Sequence, residues 1–158
     1  MYLSEVIEQM KKRILIGRQD VADFPDLTLF ELPVKIDSGA YTSSLHCHNI
    51  EEFTENGINK IKCNFLDPEH ANYHEKEFIF EHFKKRKVKS SNGIVEIRYS
   101  IATQIKLFNN LYPIELTLTE RGSMRFSVLL GRKFLSKKFI INTAIKNLSL
   151  KNKLITYP

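Results

Sequence analysis

Apolar residues alternate with polar ones along most of this chain, in short runs separated by turn-forming residues, the pattern of β-strands with one buried face. The runs are Arg13 to Gly17, Leu27 to Ile36, Ser44 to Ile50, Ile58 to Phe65, Glu77 to Phe80, Lys87 to Ser90, Ile94 to Ile101, Gln104 to Phe108, Leu111 to Thr119 and Ser127 to Leu130. Strands at this spacing predict a mainly β sandwich or barrel. Asn92-Gly93 is the best hairpin signal, because a tight primed turn needs positive φ at both central residues. It predicts a hairpin over Val88 to Ile101 with its tip at Ser91 to Gly93.

Helical periodicity appears at the N-terminus. Leu3, Val6, Ile7 and Met10 follow i, i+3, i+4, i+7 spacing with Ser4 available as a cap, predicting a helix over Met1 to Lys12. Its apolar face is expected to pack on the domain or on a partner chain. Gly131 to Leu135 reads as a short helix, and Phe139 to Ile155 as a last strand or hairpin. Asp67 to Lys76, with Pro68, His70, Asn72 and His74, reads as a polar loop. No repeat, linker or low-complexity tract divides the chain, so residues 1–158 are expected to form one domain.

Composition narrows the picture. At 158 residues with 42% hydrophobic content, the chain is long enough for a real core, and it lacks the run of roughly 18 apolar residues that a membrane helix needs. Glu5, Glu8, Lys11, Lys12 and Arg13 interrupt the first residues, unlike a secretory signal, so a cytoplasmic location is expected. Cys47 and Cys63 fall on separate predicted strands and are too few for a disulfide framework, so both are expected to be reduced thiols. The net charge of +6 favours acidic partners. Its densest run is Lys84, Lys85, Arg86, Lys87 and Lys89, entering the predicted hairpin, with Arg98 on the return strand and Arg121, Arg125 and Arg132 further on. Aromatic residues are not interleaved with this run as stacking on bases requires, which argues against nucleic acid.

The candidate chemistry lies in Lys35 to Ser44, which reads Lys-Ile-Asp-Ser-Gly-Ala-Tyr-Thr-Ser-Ser. Taken alone, Asp37-Ser38-Gly39 is a common turn whose Asp caps nearby backbone amides. Its surroundings add more. The Asn-Gly hairpin, two further strands and Val128-Leu129-Leu130-Gly131-Arg132-Lys133-Phe134-Leu135 follow in the order of a retropepsin, with its catalytic turn, flap and closing Gly-Arg step. A narrower resemblance rests on Ile16-Gly17-Arg18, Phe24-Pro25-Asp26-Leu27, Lys35 to Ala40, Thr42-Ser43-Ser44-Leu45-His46, Val88 to Gly93, Leu118 to Met124, and Leu129 to Arg132. These blocks resemble the bacterial and archaeal family of ATP-dependent zinc proteases, which is similar to retropepsins and often encoded beside ATP-grasp glutamate ligases of the RimK type.

The resemblance implies a closed retropepsin-like β-barrel with a flap hairpin and one or two short helices. It implies an aspartic-type peptidase with Asp37, Ser38 and Gly39 in the catalytic turn. Ala40, His46, Ser91, Asn92, Gly93, Arg98, Arg121 and Arg132 are the expected substrate-binding positions. One Asp-Ser-Gly per chain makes a homodimer the expected active form. A peptide or protein substrate is expected, with acidic or glutamylated ones favoured by the basic run, and a glutamate ligase is the expected partner. The rival reading is a non-catalytic peptide-binding module of the same fold. Tyr41-Thr42-Ser43 stands where retropepsins carry an acidic brace for the Gly-Arg arginine, so Arg132 is expected either to bond backbone carbonyls or to bind a substrate carboxylate. No metal is expected: His-Glu-x-x-His is absent, and His46 with His48, or His70 with His74, falls short of the usual ligand count without further donors. No phosphate-binding loop is present, so ATP dependence would come from a partner.

Overall fold

A computed structural model of the chain describes residues 2–89, 92–120 and 125–156. The elements, in chain order, are α1 (Tyr2–Lys11), β1 (Ile14–Ile16), β2 (Gln19–Phe24), a 3-10 turn (Pro25–Leu27), β3 (Leu29–Ile36), β4 (Ser43–Glu55), β5 (Ile58–Phe65), β6 (Phe78–Phe80), β7 (Lys84–Lys89), β8 (Val95–Leu107), β9 (Asn110–Thr119), β10 (Val128–Leu130), α2 (Arg132–Leu135), β11 (Phe139–Ile141) and α3 (Leu148–Thr156). Six of the strands close a barrel in the order β10-β3-β2-β8-β9-β4, with β4 returning to β10. Closure depends on β10. It runs parallel to β3, with Val128 opposite Val34 and Leu130 opposite Ile36, and antiparallel to β4, with Val128 opposite Leu45. The expected retropepsin-like β-barrel is therefore the observed architecture.

Alternation explains what fills it. Leu29, Leu32, Val34 and Ile36 of β3, Leu45 of β4, Ile101, Ile105 and Leu107 of β8, and Ile114, Leu116 and Leu118 of β9 are all buried. Burying one such side chain contributes roughly 1.5–3 kcal/mol, so this shared core readily outweighs local polar costs. Outside the barrel, β5 and β6 extend the sheet from β4, and β7 pairs with β8 as a hairpin from Lys84 opposite Ser100 to Lys89 opposite Val95. The flap hairpin thus begins at Lys84, four residues before the expected start. Gly93 has φ +85°, in the left-handed region that favours glycine, while Ser91 lies outside the described residues. A second Asn-Gly turn, at Asn56-Gly57 with φ of +54° and +77°, joins β4 to β5 and pairs Glu55 with Ile58.

Four expectations are corrected. Strand β2 is additional, and its buried positions are Asp20, Ala22 and Phe24, so the inward face does not read as apolar. The runs at Ile94 to Ile101 and Gln104 to Phe108 are one strand, β8, because unbroken pairing with β9 carries it through Ala102 and Thr103. The segment Phe139 to Ile155 is no hairpin: β11 pairs with β1, and α3 follows. Nor does α1 pack on the domain, since none of its residues is buried and Leu3 is 70% exposed.

The helix α3 forms because a distant carboxylate caps it. Asp20 Oδ2 accepts the Ser149 amide at 2.9 Å and Oδ1 accepts the Leu150 amide at 3.1 Å, as a local N-cap side chain would. Burial pushes the Asp20 carboxyl above the usual carboxylate range, and the amides of Ser149, Val21 and Leu150 oppose that rise. The Ser149 hydroxyl accepts the Phe108 amide at 2.8 Å, tying the helix to the end of β8. Asp20→Ala is expected to lower unfolding free energy by roughly 1–3 kcal/mol, because it strands the buried Ser149 amide and the half-buried Leu150 amide, with the loss read from urea denaturation followed by circular dichroism.

Candidate active site and a histidine cluster

The Asp37 turn is built by the strand pairing that closes the barrel. As β3 ends at Ile36, the Asp37 amide donates to the Leu130 carbonyl at 2.9 Å, extending the β3–β10 ladder by one bond. The chain then turns at once. Gly39 donates its N–H to Asp37 Oδ1 at 3.1 Å, and the Ala40 amide donates to the Asp37 carbonyl at 3.2 Å, as in an Asx turn. Asp37 Oδ2 makes no hydrogen bond among the described residues, Asp37 is half-buried, and Ser38 and Gly39 are exposed. The carboxylate is held by one oxygen and presents the other.

The second wall of the turn is the Gly131-Arg132 step. A Cβ on Gly131 would lie 2.6–2.7 Å from the Thr42 and Tyr41 carbonyl oxygens, so only glycine allows the two loops to meet. The Gly131 amide donates to the buried Ser43 hydroxyl at 3.0 Å, and the amides of Arg132 and Lys133 donate to the carbonyls of Ala40 and Tyr41, each at 2.9 Å. Gly39 is different: a Cβ there would meet only Asp37 Oδ1, at 3.4 Å. Within one protomer, close approach is demanded of Gly131 and not of Gly39.

Arg132 donates Nη1 to the Ser38 carbonyl at 3.0 Å, and its guanidinium lies 5.8 Å from the centre of the Tyr41 ring. Tyr41 thus meets the arginine through its π-face, where an acidic brace would meet it through a salt bridge. His46 is distant from this constellation in bonding terms, buried in β4 with its amide donating to the Ser127 carbonyl. Arg98, in the flap, pairs with Glu96 at 3.6 Å and stands opposite Arg86. Asn92 and Gly93 are exposed near the flap tip; Ser91 and Arg121 lie outside the described residues.

The basic residues fall into two groups. Lys84 pairs with Glu115 at 2.9 Å and Lys85 with Glu52 at 2.8 Å, so part of the run is neutralised by the barrel itself. Bonds from Lys85, Asn59 and Tyr99 hold the Glu52 carboxyl down to about 2. A different set lines the cleft that reaches the end of β3. Arg18, Lys35, Arg125 and Lys146, with Gln19 and Phe126, line a cleft of about 560 Å³ that reaches Ile36, the residue before Asp37. None of these four cations has a carboxylate partner among the described residues; Arg18 donates to the Ala144 carbonyl at 3.3 Å.

A separate cluster joins β4 to the loop after β5. His46 and His48 project from one side of β4, and their Nε2 atoms lie 3.3 Å apart. Asp67 Oδ2 is 3.8 Å from His48 Nε2, and one donor atom from each of the three residues falls within 4.8 Å of the others. Burial lowers the His46 pKa, and the neighbouring His48 adds to that effect. These donors fit the zinc of the resembled family's name: two imidazole nitrogens and a carboxylate, gathered at the buried end of β4. His70 and His74 form no such cluster; His70 Nδ1 accepts the Asn72 amide at 3.0 Å. Cys47 faces away from the pair, and its bond with Cys63 and its burial push the thiol pKa upward, so it stays protonated.

Asp67 escapes a sequence reading because it opens a polar loop. The signal lay in Asn56-Gly57, since a two-residue turn pairing Glu55 with Ile58 can be counted back to bring His46 and His48 beside residues 64–67. Lys35 and Lys146 escape it too, being more than a hundred residues apart and joined only by the fold.

The sequence profile described as RimB-like, the retropepsin-like aspartic endopeptidase RimB, matches residues 15–152. Curated relatives named probable alpha-L-glutamate ligase include one from Shewanella pealeana, 36% identical over 82% of this chain, and one from Desulfotalea psychrophila, 33% identical over 84%. The chain spans 28% of the length of each. Among solved structures, protein Lpg0085 from Legionella pneumophila, of unknown function, is 26% identical, with a TM-score of 0.67 over 86% of this chain and 98% of that one. No helix among the described residues is long and apolar enough to cross a membrane.

Gly131→Ala is expected to cost roughly 1–3 kcal/mol, because the added methyl meets backbone carbonyls that cannot rotate away, and a lowered urea midpoint with an unchanged m-value reads this out.

Proposed function

The chain belongs to the RimB-like family of retropepsin-like aspartic endopeptidases, and from that premise we propose that it hydrolyses peptide bonds as a homodimer, with Asp37 of each protomer forming one dyad. The observation that carries this reading is the Asp37 turn, which fixes one carboxylate oxygen and leaves the other presented. One chain supplies one such turn, so a twofold axis at Asp37 provides the second carboxylate. Two carboxylates a few ångströms apart share a single proton. The charged member takes a proton from water as the water oxygen attacks the peptide carbonyl carbon, and the protonated member hydrogen-bonds the carbonyl oxygen. Collapse of the tetrahedral species breaks the C–N bond, with a proton passing to the leaving amine. The dyad titrates as a pair.

The substrate class is an acidic peptide, glutamyl chains above all. Its support is the cleft beside Asp37, where four cations without carboxylate partners would hold successive side-chain carboxylates. The directly opposed Arg86 and Arg98 of the flap add to it, since an anion lying between them relieves their repulsion. The relatives named glutamate ligases connect the domain to the same chemistry, and an ATP-grasp ligase is the partner that would supply glutamylated substrate. Zinc, if held, would sit at His46, His48 and Asp67, where it supplies positive charge and a tetrahedral constraint. The partial span of those relatives also favours a second reading, a barrel that binds acidic peptide for a ligase without cleaving it.

Asp37→Asn separates the two readings. As a peptidase, the variant is expected to keep its fold and peptide affinity but lose at least about a thousandfold in turnover, the scale set by removing a principal catalytic group. Full turnover in the variant, or activity carried by a species that light scattering shows to be monomeric, overturns the dyad. The substrate class has its own test. Reversing Lys35 and Lys146 to Glu is expected to raise KM for an oligoglutamyl peptide at least about tenfold and leave KM for an uncharged peptide nearly unchanged, whereas equal KM values for both peptides overturn it.

A further inference from the structure

We propose that His46, His48 and Asp67 form a site for a divalent metal ion of the zinc class, pinning the loop after β5 to the barrel. The spacing is the first argument. Two nitrogens each about 2.0–2.1 Å from a tetrahedral zinc stand about 3.3–3.4 Å apart, and the Nε2 atoms of His46 and His48 are 3.3 Å apart. Asp67 Oδ2 is 3.8 Å from His48 Nε2, and the three donor atoms lie within 4.8 Å of one another, so rotation of the half-buried Asp67 side chain brings its carboxylate to a third vertex. Water completes the fourth.

The donors are held before any ion arrives. His46 is fully buried, its amide donates to the Ser127 carbonyl, and its carbonyl accepts the Leu66 amide, so its position is set on both sides. Asp67 is oriented as well: Oδ1 accepts the Glu69 amide at 3.0 Å and the Asp67 carbonyl accepts the His70 amide at 2.8 Å, leaving Oδ2 directed at His48. Such supporting bonds are what a ligand set requires beyond the ligands themselves. Two imidazoles and one carboxylate are a donor set that zinc takes, with an open position left for water.

The chemistry is that of a borderline ion taking nitrogen and oxygen donors; the softer thiols are turned away on the other side of β4. Nothing in the argument uses Asp37 or the dimer, so the site stands or falls apart from the peptidase reading. Its consequence is mechanical: an ion there links β4 to the segment from Asp67 to Lys76, which otherwise carries no strand or helix.

The test is metal binding by the intact chain. Purified apo-protein is titrated with Zn²⁺ against a chromophoric chelator, and with Co²⁺ as a spectroscopic substitute. One ion per chain is expected, with visible absorption of four-coordinate cobalt and a Zn²⁺-dependent rise in Tm. His48→Ala and Asp67→Asn, both at partly exposed positions, are expected to fold and to weaken binding at least about tenfold, while Asp37→Asn binds as wild type does. Binding weaker than millimolar, an octahedral cobalt spectrum, or equal affinity in His48→Ala and wild type overturns the site. So does a loss of affinity in Asp37→Asn equal to that in His48→Ala, which would place the ion at the catalytic turn.

Discussion

Three residues of β10 hold this barrel shut, and the Asp37 turn exists because of how they do so. Val128 to Leu130 enter between β3 and β4, pairing in parallel with one and antiparallel with the other. Without that insertion, both strands would expose edges lined by Val34, Ile36 and Leu45, which are now buried. The same ladder extends one bond beyond β3 to the Asp37 amide, so the element that completes the core also ends at the carboxylate. The close contact of Gly131 with the Tyr41 and Thr42 carbonyls then fixes where the chain goes next. Fold stability and placement of the turn are therefore one problem, solved with the same backbone bonds.

Within that frame, side chains vary while geometry is kept. Arg132 reaches the Ser38 carbonyl and lies over Tyr41, so the loop is braced by a cation–π contact and a backbone acceptor instead of a carboxylate. The exchange has an electrostatic consequence. A salt-bridged arginine adds little net field near the turn, whereas an arginine facing a neutral ring leaves its charge uncompensated. Arg18, Lys35, Arg125 and Lys146 add further positive charge along the cleft that reaches Ile36.

The sequence revealed the barrel and the Asp37 turn because both depend on local signals: alternation, Asn-Gly turns, an Asp-Ser-Gly after an apolar run, and a Gly-Arg after another. What it concealed depends on distance. Strand β2 is hidden because its inward positions are Asp20, Ala22 and Phe24, and Asp20 faces inward only because the amides of α3 await it there. That helix is hidden for the reciprocal reason, since its cap lies 129 residues away. The apolar stripe of α1 is plain in sequence, yet periodicity reports a helix and not what covers it. Of the histidine cluster, His46 and His48 show as a period-two pair, but Asp67 becomes a third donor only through the register of the β4–β5 hairpin.

Strand β4 connects these pieces. Ser43 accepts the Gly131 amide, Ser44 and Leu45 pair with β10, His46 donates to Ser127 just ahead of β10, and His48 reaches Asp67. From the Asp37 turn to the histidine cluster, the path is a single extended strand with a bond to the closing segment at nearly every step. An extended strand whose bonds are formed on both sides has little freedom to shift in register, because a slip of one residue would turn Leu45 out of the core and a neighbour in. Restraint applied at His46 and His48 is therefore felt at Ser43 and Gly131 as resistance to opening of the β4–β10 ladder. A cation bound by the cluster would act on the Asp37 turn through that ladder, by steadying the strand that holds β10 in place, without touching the carboxylate.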